Sequence, residues 1–146
     1  MSQAPSTSIR VLCVDDHPFV LEGIKQKIDR QPDMTVVGTA TNGRQAVELF
    51  MRERPDVTVM DLQLPEMSGL DAIKAIRAAE PKALIIVLTM YQGDEDIFRA
   101  LKSGAATYFL KDTPSEDLVR AVREVDRKST RLNSSHVSES RMPSSA

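Results

Sequence analysis

Residues Val57 to Arg77, VTVMDLQLPEMSGLDAIKAIR, give the clearest indication of the fold. It begins with a short β-branched run, Val57–Met60, that is typical of a buried strand, and Asp61 follows directly. The Ser68-Gly69 pair then starts a segment whose apolar residues recur at helical spacing. A buried strand, a loop that opens on a carboxylate and an amphipathic helix together make one βα unit.

The same kind of unit recurs along the chain. Apolar runs alternate with stretches of helical period, and the predicted strands are Ile9–Val14, Thr35–Ala40, Val57–Met60, Leu84–Leu88 and Thr107–Leu110. Four of the predicted helices start at Asp16 or His17, after Asn42-Gly43, after Ser68-Gly69 and after Pro114-Ser115. The remaining helix, the fourth in the chain, is predicted to end at Gly104. This (βα)5 alternation predicts an α/β, doubly wound parallel sheet with helices on both faces. Right-handed crossovers leave few strand orders, of which we predict the flavodoxin-like order 2-1-3-4-5 in a single domain.

The composition is that of one globular domain. Of the 146 residues, 41% are apolar and 27% are charged, and the net charge of −2 gives no basic surface for nucleic acid. The longest apolar run, Ala83 to Met90, is shorter than the roughly 20 residues that cross a membrane. Residues 1–8 contain no signal-peptide pattern and are predicted to be a disordered lead-in. Cys13 lies in an apolar run and is predicted to be a buried structural thiol, which fits a cytoplasmic protein.

The last 21 residues, Asp126 to Ala146, differ sharply from the rest because they are rich in serine and lack periodicity. A DNA sequence that encodes DRKSTRLNSSH resembles a common sequencing-library adapter, and its continuation would encode SRMPSSA. We therefore interpret residues 126–146 as a translated adapter artefact, predicted to be disordered, and residues 9–125 as the functional domain. On this hypothesis the natural carboxyl-terminal portion is missing.

Polar side chains follow four of the predicted strands. They are the Asp15-Asp16 pair, Asp61, Thr89 and Lys111. Because an open α/β sheet gathers its chemistry at the carboxyl ends of its strands, we expect these side chains to converge. Clustered carboxylates repel one another and need a cation, and Mg²⁺ prefers oxygen ligands. The sequence therefore predicts a Mg²⁺ site.

The predicted metal ligands are Asp16 and Asp61, Asp15 either directly or through water, and the backbone carbonyl of Gln63. A carboxylate beside Mg²⁺ can attack phosphorus, because the metal offsets the repulsion between two anions. Asp61 is the candidate nucleophile, since it follows the central strand, while Lys111 and Thr89 offer an ammonium and a hydroxyl to the phosphoryl oxygens.

The motifs VLCVDDHP, VTVMDLQLPEMSGLD, IIVLTM and GAATYFLKD resemble the receiver domain of bacterial response regulators, and the resemblance covers nearly all of Ile9 to Val125. The phrases DDHP, MSGLDAIKAIR and FRALKSGAATYFLKD are most similar to the NarL/FixJ, LuxR-type transcription factors. The resemblance implies that Asp61 is the phosphoacceptor, Thr89 the switch hydroxyl, Tyr108 the aromatic switch residue and Lys111 the phosphate-contacting lysine.

The resemblance also implies the partners. A sensor histidine kinase would donate the phosphoryl group, and the domain would assist its own phosphorylation without being a turnover enzyme. Phosphorylation would promote a homodimer or release the output domain, a DNA-binding helix-turn-helix domain that lies in the missing carboxyl-terminal portion. One difference is Met90, which follows Thr89 where many receivers have a small residue.

Other functions compete with this one. A stand-alone receiver would act by protein–protein interaction or phosphorelay without DNA. A phosphatase of the haloacid dehalogenase type would place an Asp-x-Asp pair after its first strand, whereas here the adjacent Asp15 and Asp16 follow it. An FMN protein would need backbone N–H groups that bind phosphate in the loop after the first strand, whereas this loop is acidic.

Some single residues also have structural interpretations. Taken alone, Asp16 is explained about equally well as a helix cap and as a metal ligand. Tyr108 can likewise be a half-buried strand tyrosine without a switching role. His17 is interpreted as a loop or cap residue, because no second histidine or cysteine accompanies it as a ligand.

Overall fold

The computed structural model describes residues 8–90 and 93–129, so all but the last residue of the predicted lead-in lies outside it. The strands are β1 Ile9–Val14, β2 Met34–Ala40, β3 Val57–Asp61, β4 Ile85–Thr89 and β5 Thr107–Leu110. The helices are α1 Pro18–Asp29, α2 Gly43–Glu53, α3 Gly69–Ala79 and α4 Asp94–Lys102, followed by α5 over residues 115–129. Strands and helices therefore alternate as predicted.

The five strands form one parallel sheet in the order β2-β1-β3-β4-β5. This is the predicted flavodoxin-like order, and it places β3 at the centre with β1 and β4 beside it. Because all the strands are parallel, their carboxyl ends lie at one edge of the sheet. The residues that follow the strands are thus brought to a common edge.

Two apolar layers cover the sheet. One packs α2, α3 and α4 onto the face formed by residues such as Met60 and Val87. The other packs α1 and α5 onto the face formed by residues such as Val59 and Phe109. Side chains alternate between the two faces along each strand, so residues two positions apart in a strand, which we describe as having the same parity, meet the same helices.

The strand ends differ slightly from the sequence prediction. β3 includes Asp61, and β4 runs from Ile85 to Thr89 instead of Leu84 to Leu88. The reason is the ladder, since Asp61 pairs with Leu88 and Thr89 pairs with Leu110. Hydrogen bonds from neighbouring strands therefore extend β3 to Asp61 and β4 to Thr89. Such bonds depend on residues far away in the sequence, so local sequence patterns do not predict them.

The helix ends follow the predicted signals. Asn42 and Ser68 cap α2 and α3 by accepting hydrogen bonds from backbone N–H groups at 2.8 and 3.1 Å. α4 ends at Lys102, and Gly104 follows with a φ of 120°, which is a conformation that favours glycine.

The expectation of a disordered segment from residue 126 onward is wrong for residues 126–129, which continue α5. Burial raises the pKa of Asp126, and the negative charge of Asp56 adds to the shift, so this residue packs against the domain. A helix propagates cooperatively into residues that tolerate it, and Arg127 and Lys128 are good helix formers. The remainder of the predicted tail lies outside the described residues.

The buried position of Cys13 is confirmed. It lies within β1 at 0% exposure, and burial is the main reason that the pKa of its thiol is raised to about 12. Such a thiol stays protonated and unreactive at neutral pH.

Within the part of the chain that the structure describes, none of the helices has the length and apolar character needed to cross a membrane.

Candidate functional site

Three of the predicted site residues lie on the same side of the sheet. Alternation along β1 puts Asp15 on the face of Cys13, and alternation along β3 and β5 puts Asp61 with Val59 and Lys111 with Phe109. Cys13, Val59 and Phe109 all belong to the layer that packs against α1 and α5. The shared parity therefore directs two carboxylates and one ammonium to the same edge and the same face.

Lys111 joins the two buried aspartates. Its Nζ lies 2.9 Å from Asp61 Oδ2 and 2.9 Å from Asp15 Oδ2, and its side chain is 9% exposed. The contact with Asp61 is a hydrogen bond. Asp15 Oδ2, in contrast, is buried and accepts no hydrogen bond of normal geometry, although the ammonium is close. The Lys111 ammonium thus forms ion pairs with both carboxylates, and Asp15 Oδ2 is left without a hydrogen bond.

The charges of this group are mutually dependent. Burial raises the pKa of Asp61, and the hydrogen bonds from Lys111 and from the backbone N–H of Gln63 only partly offset that effect. Burial also lowers the pKa of Lys111, but Asp15 and Asp61 outweigh it and leave the net pKa raised. The ammonium form of Lys111 is therefore favoured, whereas burial makes the ionised form of Asp61 costly, and a further cation would reduce that cost.

The acidic pair contacts a third residue. His17 donates its backbone N–H to Asp15 Oδ1 at 2.8 Å, and its ring Nδ1 lies 3.0 Å from the same oxygen. The ring Nδ1 also lies 3.2 Å from Asp16 Oδ1 and 3.2 Å from Lys111 Nζ. His17 occupies the N-cap position of α1, as expected for its backbone, but makes no side-chain cap. The sequence interpretation missed that its ring lies among the carboxylates.

A signal for His17 was present in the sequence. It stands between a strand-end aspartate pair and Pro18, which fixes the start of the helix. A residue at such a strand-to-helix junction has to lie at the same edge of the sheet as the aspartates.

The loop after Asp61 is fixed by two close contacts. The backbone N–H of Gln63 donates to Asp61 Oδ1 at 3.0 Å, which holds the carboxylate in place. Gly69 lies so near that a Cβ atom there would be 2.2 Å from the carbonyl oxygen of Asp61 and 2.6 Å from Leu62 Cα. The start of α3 is thus packed directly on the backbone of the candidate phosphoacceptor.

Thr89 and Tyr108 lie on the other side of the sheet. Thr89 is 1% exposed and has the parity of Val87, which faces α3 and α4. Tyr108 pairs with Val87 across β4 and β5 and is 41% exposed. The carbonyl of Thr89 accepts the backbone N–H of Lys111 at 2.9 Å, so the two groups of residues are linked through the main chain. Met90, beyond Thr89, is 67% exposed at the rim.

The side chains at this edge fit a divalent cation. Asp15, Asp16, His17 and Asp61 each offer one ligand atom, and these atoms all lie within 4.8 Å of one another. The incompletely satisfied Asp15 Oδ2 is a further sign, since a buried oxygen without a hydrogen bond is a natural metal ligand. Carboxylate oxygens are the ligands that Mg²⁺ prefers. When bound, Mg²⁺ would neutralise charge between Asp61 and an incoming anionic group.

Comparison with known proteins identifies the class. The family model of the response regulator receiver domain matches residues 11–123, and the chain therefore belongs to that family.

Among its relatives, the chain is similar to two whole proteins. It is 41% identical over 123 residues to the nitrate/nitrite response regulator protein NarL of Escherichia coli strain K12, covering 84% of this chain and 56% of the relative. It is 42% identical over 119 residues to the uncharacterised transcriptional regulatory protein YxjL of Bacillus subtilis strain 168, covering 82% and 55%. The chain thus spans about half the length of these curated relatives.

A solved structure gives the same result for the fold. The crystal structure of a two-component response regulator of the LuxR family from Aurantimonas sp. SI85-9A1 superimposes with a TM-score of 0.79 at 36% identity. The match covers 83% of this chain and 86% of that one. The fold and the sequence therefore indicate a receiver of the NarL/LuxR type.

Proposed function

We propose that this domain accepts a phosphoryl group on Asp61 from a sensor histidine kinase, in a Mg²⁺-dependent reaction. The observation that carries the proposal is the contact of one buried ammonium with two buried carboxylates at 2.9 Å each, beside a third carboxylate. The proposed metal ligands are Asp15, Asp16, Asp61 and the backbone carbonyl of Gln63. Membership of the receiver family supports the same reaction.

The residues divide the chemistry between them. An oxygen of Asp61 forms a bond to phosphorus, the phosphorus–nitrogen bond of the donor phosphohistidine breaks, and its electron pair returns to the imidazole. Lys111, already 2.9 Å from Asp61 Oδ2, is placed to follow the negative charge onto the phosphoryl oxygens. The Gln63 N–H holds Asp61 Oδ1, so Oδ2 is the oxygen that exchanges its contact with Lys111 for the new bond.

The switch and the output complete the proposal. Thr89 moves toward the phosphoryl group, and Tyr108, on the same face of the neighbouring strand, repacks with α4. The changed surface forms a homodimer or releases a DNA-binding domain. The two relatives whose names indicate regulation are almost twice as long as the matched region, which favours an output domain over a stand-alone receiver. The protein would act in the cytoplasm and would not be a turnover enzyme.

The test is direct phosphorylation. Incubation with Mg²⁺ and acetyl phosphate should add one phosphoryl group to the chain by mass spectrometry, and Asp61→Asn should abolish the addition. Asp71→Asn is the matched control, because Asp71 is an exposed aspartate in the first turn of α3. Equal labelling of the Asp61→Asn variant would reject the assignment.

A further inference from the structure

We propose that His17 is an additional metal ligand, and that it makes the site prefer borderline transition-metal cations such as Co²⁺ and Ni²⁺ to Mg²⁺. This inference rests on the metal site of the proposed function and adds one nitrogen to it. A site made of carboxylates and carbonyls favours hard cations, whereas an imidazole nitrogen favours later first-row metals.

The spacing of the ligand atoms supports the assignment. Two atoms that bind one octahedral metal at about 2.1 Å and at right angles lie about 3.0 Å apart. His17 Nδ1 lies 3.0 Å from Asp15 Oδ1 and 3.2 Å from Asp16 Oδ1. Each carboxylate oxygen therefore already has the separation from Nδ1 that neighbouring ligands of one metal ion have, and the ligand atoms of the whole group lie within 4.8 Å of one another.

The contacts of the ring without a metal conflict with one another. Lys111 Nζ can only donate a hydrogen bond, so its 3.2 Å contact requires a lone pair on His17 Nδ1. The carboxylate of Asp15 can only accept when ionised, so its 3.0 Å contact requires a proton on the same nitrogen. One nitrogen cannot satisfy both neighbours. A cation among these atoms would use the lone pair of Nδ1 and the carboxylate oxygens together.

Burial and access support the same conclusion. Asp15 Oδ2 is buried and forms an ion pair with Lys111 at 2.9 Å but accepts no hydrogen bond, so this carboxylate keeps capacity for a further cation. The side chains of His17 and Asp16 are 52% and 35% exposed, so a hydrated cation can reach them from solvent. The backbone N–H of His17 is bonded to Asp15 Oδ1, and this fixes the residue next to the acidic pair.

The experiment compares metal affinities of the full chain after removal of metals by a chelator. Dissociation constants for Co²⁺ and for Mg²⁺ are measured by calorimetry for the wild type, His17→Gln and His136→Gln. His136 is the second of the two histidines in the chain and serves as the matched control. We expect His17→Gln to weaken Co²⁺ binding by about tenfold or more and Mg²⁺ binding by less than about threefold. The control should change neither constant.

A spectroscopic measurement separates ligation from a structural role. The Co²⁺ complex of the wild type should show a hyperfine-shifted imidazole C–H signal, which does not exchange with solvent, in its proton NMR spectrum, and this signal should persist in His136→Gln and disappear in His17→Gln. Absence of the signal in the wild type, or equal weakening of Co²⁺ and Mg²⁺ by His17→Gln, would overturn the proposal. If Asp16→Asn and Asp61→Asn also left both affinities unchanged, the metal site of the proposed function would fail as well.

Discussion

Replacing Lys111 with methionine should destabilise the fold and make its stability depend more strongly on pH than that of the wild type, with Mg²⁺ restoring part of the loss. Methionine retains much of the apolar stem of lysine but removes the ammonium that lies 2.9 Å from both Asp15 and Asp61. The two carboxylates are then left buried without their cation. Deleting one partner of a buried ion pair costs about 3–5 kcal/mol, because the other charge is left uncompensated.

The structure sets the scale of the effect. Ligand atoms of Asp15 and Asp61 lie within 4.8 Å of each other, and two charges at that distance repel by about 3.5 kcal/mol at an effective dielectric constant of about 20. Without Lys111, which lowers it, the pKa of Asp61 in the folded state lies further above its unfolded value, so the folded state binds more protons. Stability therefore falls as pH rises through that raised pKa. We expect a loss of about 3 kcal/mol near pH 8 and a smaller loss near pH 5.

Urea unfolding in the presence of EDTA measures this loss. Asp61→Asn in the Lys111→Met background should recover about 2 kcal/mol, because it removes one of the two charges. Mg²⁺ at ten times its dissociation constant should restore about 1.4 kcal/mol to Lys111→Met. Lys74→Met, at an exposed lysine of α3, is the control and should change stability by less than about 0.5 kcal/mol. Wild-type stability of Lys111→Met near pH 8, or no recovery in the double variant, would refute the electrostatic reasoning.

Three further predictions concern the backbone, a surface ion pair and the buried thiol. Gly69→Ala should lower the thermal midpoint and the rate of phosphorylation by acetyl phosphate, because the added Cβ would overlap backbone atoms. Gly23→Ala, where the added Cβ meets no atom within 4 Å, should be neutral or stabilising by up to about 1 kcal/mol. Equal thermal midpoints for the two variants would contradict this expectation. The hydrogen bond from Arg123 lowers the pKa of Asp33, so the pair stabilises the fold above the unfolded pKa of aspartate and loses that contribution as pH falls through the lowered pKa. Because both side chains are about 40% exposed, Arg123→Met should cost only about 0.5–1 kcal/mol in urea unfolding at neutral pH, and an undiminished cost in acid would count against it. Cys13 should resist iodoacetamide in the folded protein and react after unfolding, as mass spectrometry would show; rapid native labelling would disprove its burial.

The strands and the strand-end site were predictable because they depend on local signals. β-branched runs identified β1 and β5 to the residue, and the rule that parallel strands share a carboxyl edge brought Asp15, Asp61 and Lys111 together. The distances were not predictable, because they depend on the register between strands and on which face each side chain takes. The ladder from β5 likewise moved the end of β4 to Thr89.

The features that the sequence prediction missed depend on partners that lie far away in sequence. His17 was interpreted from its immediate neighbours, but its ring contacts Lys111, which is 94 residues away in the chain. The change in composition after Val125 suggested disorder, yet α5 continues to residue 129, and Asp126 lies near enough to Asp56 for that negative charge to raise its pKa further. Composition alone carries no information about such tertiary contacts.

The position of β5 in the sheet has a mechanical consequence. In the described sheet this strand has β4 as its single hydrogen-bonded neighbour, whereas β3 is held on both sides. A small shift of β5 therefore strains fewer backbone hydrogen bonds than the same shift of β3. Lys111 directly follows the last residue of this strand, and Tyr108 lies within the strand with its side chain partly exposed to solvent. A pull on the ammonium at the site would therefore act on an edge strand that also carries an exposed aromatic ring.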